Sequence, residues 1–140
     1  MKYRKIRRDQ CVVLPLVLKG ERYRRIESRK KGWEWRRADY WLRRVYKWNA
    51  ESMRRRVPAV VEFRLGYASD APRMAFACGW QWDRAAGRWQ CMSPAYLWKG
   101  ADWPCSDAEN GETPINRVGI FLCGRVELVG EKPGKGGRRK

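Results

Sequence analysis

No histidine occurs among the 140 residues, which removes the Ser-His-Asp and Cys-His nucleophile arrangements and every metal site that relies on imidazole. Five cysteines remain as possible ligands: Cys11, Cys78, Cys91, Cys105 and Cys123. A zinc site usually opens with two ligands two to four residues apart, and no such pair is present, so these cysteines read as small buried hydrophobes. Cys78 and Cys91 flank an expected hairpin, where a Trp82–Trp89 pairing sets them diagonally, a poor geometry for a bridge. The carboxylates Asp102, Asp107, Glu109 and Glu112 fall in one loop with no spacing that fixes them, and they read as a solvated acidic loop. Gly134-Lys135-Gly136-Gly137 lacks the strand and helix that a phosphate loop requires. No catalytic residue, metal or cofactor is therefore expected. One enzyme class is compatible with the composition: a His-less ribonuclease of the toxin kind, in which Arg, Lys and Tyr stabilise the transition state. The arginines run through every segment, however, and no constellation among them stands out.

What the side chains do offer is charge beside flat aromatic faces. Lys plus Arg number 32 against 15 Asp plus Glu, for a net charge of +17, and seven of the nine Trp lie within two residues of an Arg or Lys. Phosphates and unpaired bases are the groups that such a surface selects. The cations group into a basic arm (Lys2, Arg4, Lys5, Arg7, Arg8), a ridge (Arg22, Arg24, Arg25, Arg29, Lys30, Lys31, Arg36, Arg37), a helix face (Arg43, Arg44, Lys47, Arg54, Arg55, Arg56) and a tail (Arg138, Arg139, Lys140). Binding is expected mainly over residues 1–56. Trp33 and Trp35, set among the ridge cations, and Trp89, which follows Arg88, are the expected stacking residues. Trp41, Trp48, Trp80 and Trp82 share apolar stripes and are expected in the core. The predominance of Arg over Lys favours bidentate and stacking contacts, and so RNA or single strands over bulk duplex DNA.

One other class of partner fits the same composition. A surface rich in Trp and Arg is also what clamps an acidic or host protein, as in viral or mobile-element accessory proteins. The basic residues 1–8 with the apolar run Cys11 to Leu18 imitate the start of a signal peptide. They lack a small-residue cleavage site, and eight apolar residues do not span a bilayer. The expectation is a cytoplasmic protein, or one of the host nucleus, with no membrane insertion.

These residues must be held by a fold. The pattern predicts an α+β domain over 1–129: an antiparallel sheet of four to six strands crossed by one amphipathic helix, with a basic arm at 1–8 and a disordered basic tail at 130–140. Trp41, Leu42, Val45 and Trp48 recur at three- and four-residue spacing, with Met53 five residues further on, giving a helix over 39–56 with Asp39 as N-cap. Alternation predicts strands at 11–18, 60–65 and 73–82, a hairpin over 73–92, a short strand at 95–98 and a final strand at 118–129 bent at Gly124. Residues 21–36 are expected as a hairpin turning at Lys31-Gly32, although Tyr23 and Ile26 have helical spacing. Residues 100–114 read as a long surface loop.

Overall fold

The computed structural model describes residues 3–28, 32–99 and 116–130. Its chain order is β1 (Arg4–Arg7), a 3-10 turn (Arg8–Gln10), β2 (Val12–Leu18), α1 (Gly20–Glu27), β3 (Trp33–Arg37), α2 (Ala38–Arg55), β4 (Ala59–Leu65), β5 (Arg73–Cys78), β6 (Trp80–Asp83), β7 (Arg88–Cys91), β8 (Tyr96–Lys99) and β9 (Arg117–Val129). The fold is α+β, with a seven-stranded sheet and a separate two-stranded sheet made by β6 and β7.

The large sheet is mixed rather than antiparallel. β4–β5, β5–β9, β3–β9 and β8–β9 are antiparallel, whereas β2 lies parallel to β4 and β1 parallel to β9. The chain leaves β2 and travels through α1, β3 and α2 before it enters β4, and a crossover that carries a helix returns the strand in the same direction. β1 and β9 stand at opposite ends of the described chain, so no short turn forces them antiparallel.

Both faces of this sheet are apolar. Leu14, Leu16, Val61, Phe63, Phe76 and Ile120 form one face, against which α1 brings Tyr23 and Ile26 and α2 brings Val45 and Trp48. Ile6, Cys11, Val60, Ala75, Ala77 and Val126 form the other. β4 is buried on both sides from Ala59 to Phe63, and each such large side chain removed from water contributes about 1.5–3 kcal/mol. Glu62 lies within this strand. The Arg8 guanidinium grips it through two hydrogen bonds of 2.6 and 3.2 Å, and Arg73 approaches at 3.8 Å.

α2 spans 38–55, close to the expected bounds, and Trp48 Nε1 donates to the Val12 carbonyl at 2.8 Å. Asp39 does not cap it. Its carboxylate instead accepts from Arg37 at 3.0 and 3.3 Å within the first turn. The expected hairpin over 21–36 is absent: 20–27 is helical because the spacing of Tyr23 and Ile26 lets both reach the sheet at 3% and 1% exposure, while Glu21, Arg22, Arg24 and Arg25 stay in solvent. β3 finds its partner in β9 instead. The basic arm is also corrected, since residues 4–7 are a strand on β9 with Ile6 buried. The run 73–82 is broken at Gly79, whose φ of 72° turns the chain out of the large sheet and into the β6–β7 hairpin. Trp82 therefore ends half-buried rather than in the core. Trp41 is likewise half-buried, whereas Trp48 and Trp80 are core residues as expected. No helix among the described residues is long and apolar enough to cross a membrane.

Candidate nucleic-acid interface

Gly79 directs β6 away from the large sheet, and β6 pairs with β7 in the register Trp80–Cys91, Gln81–Gln90, Trp82–Trp89 and Asp83–Arg88. That register places the two indoles directly across from each other, where they meet edge to face at 5.7 Å and 77°. The hairpin stands beside the end of α2, and between them lies an open cleft of about 530 Å³. Its apolar wall is Trp80, Trp82 and Trp89 with Pro58 and Cys91. Its polar groups are Arg56 from the end of α2, Arg88 from β7, Gln10 from the 3-10 turn and Gln90. Two arginines and no acid line it. A third cation stands close, because the Arg4 guanidinium lies 3.9 Å from the centre of the Trp82 ring.

The backbone at Arg56 is unusual. α2 ends in a paired closure: the Arg56 N–H donates to Met53 O at 3.3 Å, the Val57 N–H donates to Ser52 O at 3.1 Å, and the Ser52 hydroxyl donates to Val57 O at 2.6 Å. This arrangement requires a left-handed residue at position 56, a place usually filled by glycine. Here φ is 57° and ψ 43° on an arginine, the only non-glycine with positive φ among the described residues. A Cβ in that conformation costs about 1–2 kcal/mol. The chain tolerates this strain and in return projects a cation into the cleft.

The other expected site residues fall elsewhere. Arg22, Arg24 and Arg25 lie on the solvent side of α1, with Arg25 bound to Glu21 at 2.9 Å. Arg29, Lys30 and Lys31 are outside the described residues, as are the loop carboxylates, Cys105 and the tail beyond Gly130. Arg36 is turned inward: it donates to Glu34 at 2.8 Å and to the Val17 carbonyl at 3.2 Å, and it stacks over Trp41, so it serves the fold. Arg37 holds Asp39. Arg43, Arg44 and Lys47 are exposed on α2, with Arg44 over the Trp41 ring at 5.0 Å. Arg54 is tied to Glu51 at 2.6 Å, and this bond holds the Glu51 carboxyl below its usual range. Arg55 donates to the Asp9 carbonyl at 3.1 Å. Trp33 and Trp35 are half-buried on the far face of β3, well separated in sequence from the cleft.

Of the expected residues, Arg56, Arg88 and Trp89 thus meet in one place. Gln10, Trp80 and Trp82 complete the cleft and were not expected there. Their signal was weak because Gln10 and Arg56 come from segments 46 residues apart, and Trp80 and Trp82 share an apolar pattern with true core residues.

Burial pushes Cys11 up to about 11 and Cys78 well above its ordinary value, so both are protonated and unreactive near neutral pH. Cys78 and Cys91 are both free thiols. No group of three or more acidic or thiol ligands able to hold a metal occurs among the described residues. No protein-family model matches the chain, and no curated protein or solved structure matches it.

Proposed function

We propose that this protein binds single-stranded nucleic acid, RNA foremost, by seating an unpaired base against the indoles of the β6–β7 hairpin while Arg56 and Arg88 hold the adjoining phosphates. The observation that carries this reading is the cleft itself: three Trp, two Arg and two Gln converge from the 3-10 turn, the end of α2, β6 and β7, with no carboxylate among them. Indole faces stack on any base, guanidinium forks match phosphate oxygens, and side-chain amides can read base edges. The strain accepted at Arg56 supports it, because glycine would close the helix more easily but supply no cation. The function is binding rather than catalysis. Arg22, Arg24, Arg43, Arg44 and Lys47 add to the long-range field that draws the strand in.

The test is a salt titration of the affinity for single-stranded RNA, single-stranded DNA and duplex DNA of matched sequence, followed by Trp fluorescence. Expected are quenching on single strands and a steep salt slope. Replacing Arg56 and Arg88 with Ala should reduce that slope by about 1.4, from about 0.7 for each phosphate contact on a single strand. An unchanged slope, or equal affinity for duplex, refutes the reading. Cleavage of the RNA during the titration would point to a His-less ribonuclease instead.

A second reading, capture of a protein partner of viral or mobile-element type, is favoured by one observation. Met53 is 49% exposed and its sulfur touches Cys91 Sγ at 3.5 Å, and the next residue, Met92, is 56% exposed, so two flexible apolar side chains flank the cleft rim. Such an interface would be far less sensitive to salt.

A further inference from the structure

The face of the sheet that carries Val60, Ala75, Ala77 and Val126 changes character along β4. Val60, Glu62 and Arg64 alternate onto it, and the antiparallel register sets Arg73 of β5 directly opposite Arg64. Two like charges in that relation stand with their Cβ atoms about 5 Å apart and repel, a pairing that destabilises a sheet. Glu62, the acid on this face, does not offset it. Both Glu62 oxygens already accept from Arg8, at 2.6 and 3.2 Å, and Arg73 stays 3.8 Å away, outside hydrogen-bonding distance.

Arg64 makes no hydrogen bond or ion pair among the described residues, and its Nε is buried with no acceptor beside it. A charged donor hidden from water in this way is costly until an acceptor meets it. Asp70, the acid of the adjoining turn, is exposed and pairs with neither arginine. Arg73 is held by a single carbonyl, that of Ser69 at 3.5 Å, and its side chain is 23% exposed, so most of its five N–H donors stay available. The turn also leaves room beside the pair: nothing lies within 4 Å of the position that a Gly66 Cβ would take.

We infer that Arg64 and Arg73 bind a terminal phosphate at this end of β4 and β5. The bidentate Arg8 satisfies Glu62 by itself, so three guanidiniums face one carboxylate and two positive charges lie unmatched. That matches a terminal phosphate, which carries a charge of about −1.5 to −2 near neutral pH, better than the single charge of a phosphodiester inside a strand. The forked N–H groups of two arginines fit its oxygens. The site lies about 20 Å along β4 from Pro58 of the cleft and shares no residue with it, so it does not rest on the reading of the cleft. The 5′ end of a strand and free inorganic phosphate offer the same chemistry.

The native full chain, Arg64→Met and Arg64→Lys are unfolded in urea, in sodium phosphate and in sodium chloride of equal ionic strength. Phosphate stabilises any protein by exclusion from its surface, so the quantity read is the difference between proteins. The native midpoint should rise more in phosphate than that of Arg64→Met, which keeps an apolar stem without the charge, and Arg64→Lys should retain part of the rise. Arg73→Met should lose it too, and carries the test if Arg64→Met does not fold. A six-nucleotide RNA with a 5′-phosphate then separates the two sources. Binding tighter than that of its 5′-hydroxyl counterpart by about 10- to 150-fold, the worth of one charge-assisted hydrogen bond, in the native protein but not in Arg64→Met assigns the phosphate to a strand end. A rise specific to the native protein without that preference assigns it to free phosphate. An equal rise in native protein and variants, with no preference for the 5′-phosphate, overturns the site and leaves the cleft standing.

Discussion

The fold places its cleft through one residue, and Gly79→Ala should show it. Gly79 has φ 72°, and a Cβ built there collides with the Ser93 carbonyl oxygen and comes within 2.9 Å of the Pro94 carbonyl oxygen. Both obstacles are backbone, not the ends of flexible side chains. The peptides on both sides of Gly79 are pinned, since Gly79 O accepts from the Met92 N–H at 2.8 Å and the Ser93 N–H at 3.2 Å, while the Gly79 N–H donates to Cys123 Sγ at 3.2 Å. The left-handed backbone costs an alanine about 1–2 kcal/mol. Displacing the two carbonyls adds about 1–3 kcal/mol, as overpacking does in a filled site. The sum, about 2–5 kcal/mol, is a large share of the 5–15 kcal/mol that holds a typical domain together. Gly66 supplies the control, because its φ is 83° but nothing lies within 4 Å of its would-be Cβ, so Gly66→Ala should carry only the backbone part. Urea unfolding of both variants, compared at equal slope, isolates the steric part. A Gly79→Ala variant no less stable than Gly66→Ala would refute the argument that this turn is packed against the Ser93–Pro94 backbone.

Three further outcomes follow from the structure. Glu62→Ala should destabilise by about 3–5 kcal/mol, because it leaves the Arg8 side chain, 12% exposed, without its bidentate acceptor; urea midpoints measure this, and a loss under 1 kcal/mol would show the pair to be dispensable. Stability should fall as pH rises from 9 toward 11, because the unfolded chain releases the Cys11 proton near 9.0 while the folded protein keeps it to about 11; Cys11→Ala should remove that part of the decline, and identical pH profiles for the two proteins would contradict it. Arg56→Gly should raise the urea midpoint by relieving the left-handed arginine and yet weaken strand binding, whereas a variant both more stable and equally tight would remove Arg56 from the interface.

Parts of this architecture were legible without tertiary contacts. α2 was, because Leu42, Val45 and Trp48 repeat at the helical period over a stretch long enough to average out exceptions, and so were β4, the β6–β7 hairpin and its Trp82–Trp89 register. α1 was not. Eight residues with only two apolar side chains are too short to choose their own conformation, and the sheet beneath Tyr23 and Ile26 decided it. β1 reads as a solvated arm until β9 supplies its partner from residues 126–129. The parallel pairs were invisible for the same reason, since periodicity reports which face is buried and not the direction of a neighbouring strand.

By itself the sequence determined the chemistry: a large positive charge, abundant indoles and no imidazole are counts, and folding does not alter them. It also determined the local elements whose period is strong. Only the tertiary structure decided which of those residues act together. It tied Arg36, Arg54 and Arg55 into the protein, and brought Gln10, Arg56 and Arg88 to the Trp hairpin through a single glycine turn. The physical reason is one of range. Charge and period are properties of neighbouring residues, but a cleft is made where distant segments pack, and that is governed by burial summed over the whole chain.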